Sequence, residues 1–330
     1  MQWLDVEEGA RGLRPQSEFG RPRAWRAGDV GARDWTVAVP DAAVAEMEAV
    51  VELHRRQRLP TCMLAPEMFT LDACARMMAE ARSRLDHGVG VALLDRLPVE
   101  RWTAEEANAV YWLLGRLLSQ PVAQEWNGLM FRDILDAGGD QEYGNERAVT
   151  SRVLTFHTDN SGNRARPDYV GLMCLGRAAE GGESQFCSLY AVHDALAADA
   201  PDLLARLFEP YLHDRQGIQA PGEIEVLRAP VLTFDGERLR GRYSLNKISQ
   251  GYRKAGVPID APGQRALDAV VEVIDRHHLA CAFTIERGQV QFFNNLEGLH
   301  HRADYKDAPE QRRHMVRTWY RNRGRPFFDG

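Results

Sequence analysis

Several things are scarce in these 330 residues, and each scarcity removes a class of protein. No apolar run approaches the roughly 18 residues of a membrane-spanning helix. The first residues carry Asp5, Glu7 and Glu8 and no apolar core, so no signal peptide is expected. Cysteine is sparse: Cys62, Cys74, Cys174, Cys187 and Cys281 make an odd count without a Cys-x-x-Cys pair. That argues against a disulfide framework and a structural zinc site, and it reads as reduced thiols of a cytoplasmic protein. Basic excess is missing too. A net charge of −6 and a pI near 6.0 leave no footprint for nucleic acid, and no polybasic run addresses a membrane surface. No repeat and no low-complexity tract is found. What remains, 44% hydrophobic and 27% charged, is ordinary globular composition.

Residues 1–40 are rich in Gly, Arg and Pro, with isolated Trp3, Trp25 and Trp35. They predict an irregular arm that packs its tryptophans on the body, ahead of a single domain over 41–330. Within that domain, 41–118 reads as helical. Val44, Met47, Val51 and Leu53 stripe a helix from Asp41 to Arg58, stopped by Pro60. A second helix runs from Thr70 to Leu85. A third, Thr103 to Leu118, starts with Thr103 as N-cap and Glu106 completing a capping box. Gly88 to Leu94 is an apolar run of strand length. Beyond about residue 120, short β-rich runs alternate with Gly, Pro, Asn and Asp turns: Tyr169–Leu175, Ser184–Ser188, Val231–Phe234, Gly241–Asn246, Ala280–Glu286 and Gln289–Asn294. Helices interrupt at Ala191–Ala198, Pro201–Phe208 and Ala261–His278. Helices followed by many short strands predict an α+β protein built around a jelly roll.

The stretch Arg152–Asn160 reads as a strand entering a turn. On a strand, alternate residues share a face, so His157 and Asp159 point the same way, roughly 6.6 Å apart along the backbone. Imidazole and carboxylate together suit Fe(II), and a second histidine from far along the chain would complete a facial triad with open positions. The candidate is His300, in the run Phe292 to Arg302. Ten histidines and 47 acidic residues produce His-x-Asp pairs by chance, so the weight falls on what accompanies this pair.

Four features follow in order: Phe156-His157-Thr158-Asp159; the strand Pro167–Leu175 with Gly181-Gly182-Glu183-Ser184 after it; the run Phe283–Asn295, expected as a hairpin, leading to His300-His301-Arg302; and Gln311–Tyr320. With this ordered set the chain resembles the taurine dioxygenase and γ-butyrobetaine hydroxylase (TauD/TfdA-like) superfamily of Fe(II)/2-oxoglutarate-dependent oxygenases, over roughly residues 85–325. The resemblance implies a double-stranded β-helix, a cupin-like jelly-roll barrel flanked by helices, with the metal at one mouth. It implies His157, Asp159 and His300 as ligands of Fe(II), His300 being preferred to His301 because His300-His301-Arg302 satisfies the His-x-Arg pattern. It implies Arg313 as the partner of the distal carboxylate of 2-oxoglutarate, and Ser184 as the hydroxyl beside that cosubstrate, where Thr is more usual. Arg317 matches a second arginine that in some members grips an anionic substrate group. Asn160, Tyr243 and Asn246 are further candidates for the substrate mouth, as is the stretch Gln124–Asp133. The loops 138–145 and 160–166 are candidate lids.

The implied activity is hydroxylation of a small molecule, amino-acid-like or otherwise carboxylate-bearing, with O2 consumed and succinate and CO2 released. Asp159 argues against halogenation, because related halogenases carry a small residue there. Desaturation and cyclisation use the same triad and stay open. Two other readings compete: a catalytically silent barrel that only binds, and a zinc hydrolase, which leaves Arg313 and Ser184 without a task. His277-His278 is expected to cap a helix end, and Arg312 to face solvent.

Overall fold

The computed structural model of the chain describes residues 2–6, 13–136 and 154–328. Helices Asp41–Gln57, Asp72–Asp86 and Ala104–Leu118 form within a residue or two of the expected bounds. The third starts as its sequence requires. Thr103 Oγ1 accepts from the Glu106 amide at 3.2 Å, and Glu106 Oε2 accepts from the Thr103 amide at 2.8 Å. Two of the orphan amide donors at the helix start are satisfied reciprocally.

Among the described residues two sheets face each other. The larger orders Thr36–Val37, Val91–Leu94, Val290–Asn294, Tyr169–Gly176 and His314–Arg321; beyond the last, Gln120–Val122 and Arg132–Ile134 both pair with it. The smaller orders Cys281–Phe283, Ser184–Ser188, Gly298–Arg302 and Leu154–His157, all antiparallel. Period-2 alternation divides the larger sheet's side chains. Met173, Phe292, Val316 and Tyr320 pack with the three helices, while Val170, Cys174, Phe293, Met315 and Trp319 point inward to meet Phe186 of the smaller sheet. On the smaller sheet's outer side, Phe156, Cys187 and Leu299 pack with helices Leu189–Asp199, Pro201–Leu207, Leu245–Ala255 and Ala261–Arg276. No helix among the described residues is long and apolar enough to cross a membrane.

The amino-terminal arm behaves as expected in part. Trp25 stacks on Phe186 with centroids 6.1 Å apart, and Trp35 on Phe283 at 5.4 Å. Trp3 instead stays 41% exposed. Its neighbours Leu4–Asp5 pair in parallel with Leu227–Arg228, so the arm contributes a strand. That strand joins the antiparallel pair Pro210–Asp214 and Val226–Pro230, which carries little alternation and was not expected.

Two local expectations are overturned. Phe283–Asn295 is not a hairpin: Cys281–Phe283 pairs in the smaller sheet and Val290–Asn294 in the larger, so the intervening turn crosses between sheets. Gly241–Asn246 is not a strand. Ser244 caps a helix, accepting from the Lys247 amide at 3.4 Å, and Leu245 onward is helical. The local hydroxyl cap wins over the β-leaning composition.

His213 lies fully buried on Pro210–Asp214, its Nε2 3.2 Å from the Ala229 carbonyl. Burial, aided by the charge of Arg242, pushes it down to about 3. The unfolded chain therefore takes up this proton first, near pH 6.5. The contribution is intact above that value and is lost as pH falls from about 6.5 toward 3, at about 1.4 kcal/mol per unit. Urea midpoints at pH 7.5 and 5.5 should show this loss, and His213→Gln should shrink the difference; an equal difference in both proteins rules the histidine out as its source.

Candidate metal and cosubstrate site

The strand Leu154–His157 ends because Thr158 turns away, its amide donating to the Tyr243 carbonyl at 2.8 Å. Asp159 thus sits two residues past the end of the strand and not on it. Its direction is fixed by Asn295, which accepts from the Asp159 amide at 2.6 Å and donates to the carbonyls of Asp159 and Pro167 at 3.1 and 3.0 Å. His300 lies directly opposite His157 in the smaller sheet, the ring centroids 4.0 Å apart.

The result is convergence. Asp159 Oδ1 is 3.5 Å from His157 Nε2 and 3.6 Å from His300 Nε2. One ligand-type atom from each of the three residues lies within 4.8 Å of the others. His157 Nδ1 lies 2.7 Å from the Thr155 carbonyl, so Nδ1 carries the proton and Nε2 presents its lone pair inward. Burial, with His157 beside it, pushes His300 down to about 4, which keeps it neutral near pH 7. Burial alone would raise the Asp159 carboxyl; the Arg317 charge and the two histidines hold it well below the usual range. Two neutral imidazoles and one ionised carboxylate are the donor set that Fe(II) takes, so the residues fit the metal. His301 turns elsewhere, its ring 5.1 Å from Phe156.

Two cavities meet here. Both are lined by Leu154, His157, Asp159 and Arg317. The first adds Ser184, His300, Arg302 and Arg313. Arg313 is buried, and its Nε and Nη1 have no hydrogen-bond partner among the described residues. Its guanidinium stands 5.2 Å from the Tyr305 ring, and Arg302 stands 4.9 Å from the same ring. Burial, with Arg313 nearby, pushes Arg302 down to about 10. A buried guanidinium with two nitrogens unpartnered among the described residues calls for an anion, so at Arg313 the site also fits a dicarboxylate cosubstrate. The Gly181-Gly182 turn holds this corner together. Gly181 sits at φ +71°, and a Cβ there would lie 2.4 Å from the Asp304 carbonyl, so only glycine lets the chain reach Ser184 this closely. Arg312, as expected, is exposed.

The second cavity, an open cleft, adds Asn160, Gln216, Asn246, Lys247 and Trp319. Asn246 reaches it from the first turn of a helix. Tyr243 does not reach it: the ring is in the core behind the smaller sheet, and its hydroxyl donates to the Leu267 carbonyl at 3.0 Å. Its neighbour Ser244 caps the helix that starts at Leu245, so the strand expected over Gly241–Asn246 is absent there. Asn160 sits at φ +57° with its side chain used in its own loop, donating to the Ala165 carbonyl at 2.9 Å and accepting from Asn163 at 2.6 Å. That loop is no lid. Ser161 and Asn163 are fully buried, and Arg242 Nη1 donates to both carbonyls at 2.6 Å. The other expected lid, 138–145, falls outside the described residues.

Arg317 lies between the cavities, its Nη1 3.2 Å from Asp159 Oδ2. Sequence reasoning missed Trp319, Asn295, Gln216 and Lys247. For Trp319 the signal existed: it is two residues from Arg317 on one strand and so shares its inner face.

The sequence profile of the taurine catabolism dioxygenase TauD, TfdA family matches residues 58–319. The chain belongs to the TauD/TfdA family. Its members depend on Fe(II), 2-oxoglutarate and O2, and this chain is an Fe(II)/2-oxoglutarate-dependent dioxygenase. It is 28% identical over 307 residues to FR-33289 synthase of Streptomyces rubellomurinus, covering 91% of this chain and 89% of that protein. It is 26% identical over 301 residues to the taurine hydroxylase-like protein SAT17 of Stachybotrys chartarum, covering 87% and 75%. Among solved structures, asparagine oxygenase in complex with Fe(II), 3-hydroxyasparagine and succinate superposes with a TM-score of 0.65 at 21% identity, covering 87% of this chain and 93% of that one. The non-heme iron oxygenase OrfP in complex with Fe and α-ketoglutaric acid gives 0.60 at 20% identity, covering 87% and 94%. These likenesses show that the TauD/TfdA fold is shared.

Proposed function

We propose that this dioxygenase hydroxylates a small amino-acid-like or other carboxylate-bearing molecule, with His157, Asp159 and His300 holding Fe(II). In this reading residues 41–330 act as one oxygenase domain, a double-stranded β-helix, with 1–40 as an arm, in the cytoplasm. When bound, iron and 2-oxoglutarate activate O2 for attack on a C–H bond, with succinate and CO2 as co-products. The chain's own residues orient and exclude. Arg313 pairs with the distal carboxylate of 2-oxoglutarate, Ser184 lies beside it, and the apolar walls Val170, Leu172 and Phe293 keep water from that pair.

The observation that carries the reading is the pair of cavities sharing His157 and Asp159, one with a buried guanidinium of which two nitrogens lack partners among the described residues, and one with a mixed polar lining. Lys247 in the second cavity is one of only three lysines in the chain, with Lys254 and Lys306. An ammonium with the amides of Gln216 and Asn246 suits a carboxylate-bearing substrate. The related asparagine and arginine oxygenases, whose complexes hold hydroxylated amino acids, point to the same class.

The test adds Fe(II), ascorbate and 2-oxoglutarate and screens amino acids, betaines, sulfonates and acyl acids for stimulated succinate release. A product gaining one oxygen supports hydroxylation, and loss of two hydrogens points to desaturation or cyclisation. Zinc on purification with no succinate from any compound overturns the reading. For the substrate that emerges, Lys247→Met should lower kcat/KM about 10-fold or more, as loss of a charge-assisted contact does, while the KM for 2-oxoglutarate holds. A larger change in the cosubstrate's constant would mean that Lys247 serves the other cavity.

A further inference from the structure

Asp159 has two oxygens, and the structure treats them differently. Oδ1 faces His157 Nε2 and His300 Nε2. Oδ2 faces away and accepts from the indole N–H of Trp319 at 2.8 Å, with Arg317 Nη1 at 3.2 Å. Both donors come from one strand, His314–Arg321, and share its inner face. Arg317 is itself held. Its Nε donates to Gln124 Oε1 at 2.9 Å, and Gln124 Nε2 donates back to the Arg317 carbonyl at 2.9 Å and to the Met130 carbonyl at 3.0 Å. Asp159, Arg317, Trp319 and Gln124 are all buried, so bulk water does not replace these donors readily.

A carboxylate can meet a metal through one oxygen or both. With one, two histidines and the carboxylate take three positions of an octahedron and leave three open; with both, one open position is lost. Donors on Oδ2 hold that oxygen back. We propose that Trp319 and Arg317, the latter anchored by Gln124, are positioning residues that keep Asp159 bound through Oδ1 alone. The proposal rests on the assignment of Asp159 as a metal ligand and adds what makes that ligand single-pointed. It also gives Arg317 a duty within the protein, toward the ligand carboxylate and not solely toward an anionic substrate. The indole supplies a directed neutral hydrogen bond, and the guanidinium offsets the buried charge.

Co(II) is a suitable probe, because its visible absorption reports coordination number without turnover. The metal-free protein is titrated with Co(II) for wild type, Trp319→Phe, Arg317→Gln, Arg317→Lys, Gln124→Ala and Asp159→Ala, with far-ultraviolet circular dichroism to check folding. Trp319→Phe and Arg317→Gln should each weaken Co(II) by about 10-fold or more, the usual effect of removing a partner of a metal ligand. Each should also alter the intensity of the visible bands. Arg317→Lys should recover part of both, and Gln124→Ala, one contact further out and less able to disturb the fold, should shift both in the same direction by less. If the folded Trp319→Phe, Arg317→Gln and Gln124→Ala proteins bind Co(II) within about twofold of wild type with unchanged bands, well short of that usual effect, the proposal is wrong. The Asp159→Ala control separates the two levels. Loss of Co(II) there, with the other variants unchanged, removes only the positioning role; retention of full affinity in Asp159→Ala removes the ligand assignment itself.

Discussion

His300→Ala should abolish Fe(II) binding at stoichiometric metal, whereas His301→Ala should keep most of it. The two residues are neighbours in one strand, so the contrast tests the site and not the strand. His300 brings Nε2 to within 3.6 Å of Asp159 Oδ1 and stands opposite His157, while His301 faces Phe156. Removing one of the three proposed protein ligands would leave a His-Asp pair, which competes poorly with water for a labile ion. His301 lines the cavity but faces Phe156, so its removal should cost less than the roughly 10-fold typical of losing a ligand's hydrogen-bond partner. Anaerobic calorimetry with Fe(II) on both variants decides it. The reverse order of effects would put His301 on the metal and require the strand Gly298–Arg302 to be rotated from the register seen here.

The second large effect belongs to Arg313. Arg313→Met should raise the KM for 2-oxoglutarate roughly 30-fold or more, because loss of a charged, buried partner costs about 2–5 kcal/mol. The side chain is buried, two of its nitrogens have no protein partner among the described residues, and burial already pushes the guanidinium down from its usual range. Such a group is expensive to keep unless an anion meets it. Arg313→Lys should fall between, restoring charge without the bidentate fork. Initial rates of succinate formation against 2-oxoglutarate give the constants, with the primary substrate saturating. A constant within about threefold of wild type, below the scale of any buried ion pair, would move the cosubstrate's distal end to Arg302.

Parts of the fold were legible because they depend on short-range rules, whereas His300, Arg313 and Ser184 were expected from the ordered motifs of the family resemblance. The capping box at Thr103 and Glu106 fixes a helix start from four residues alone. His157 and Asp159 announced themselves as neighbours, though for a partly different reason: Asp159 leaves the strand and is aimed by Asn295, 136 residues away. Sequence carries no signal for such a clamp beyond an Asn-Asn pair. Strand parity had no strand to act on at Gly241–Asn246, where a serine cap started a helix instead. It would have succeeded for Trp319, where the strand is real. The loop 160–166 looked mobile from its Asn, Gly and Ser content. Its order comes from Arg242 and Arg215, which approach from segments remote in the chain. Composition describes a segment's own freedom and says nothing of the cations that arrive from elsewhere.

The two cavities share a wall but not their charged ends, Arg313 in one and Lys247 in the other. Inhibition patterns follow from that partition. A dicarboxylate mimic seated on Arg313 leaves the Lys247 cleft open, so it competes with 2-oxoglutarate while the primary substrate still docks. A compound joining a dicarboxylate to an amino-acid-like head across His157 and Asp159 would occupy both ends at once, and its selectivity over other dioxygenases would come from the Lys247 side.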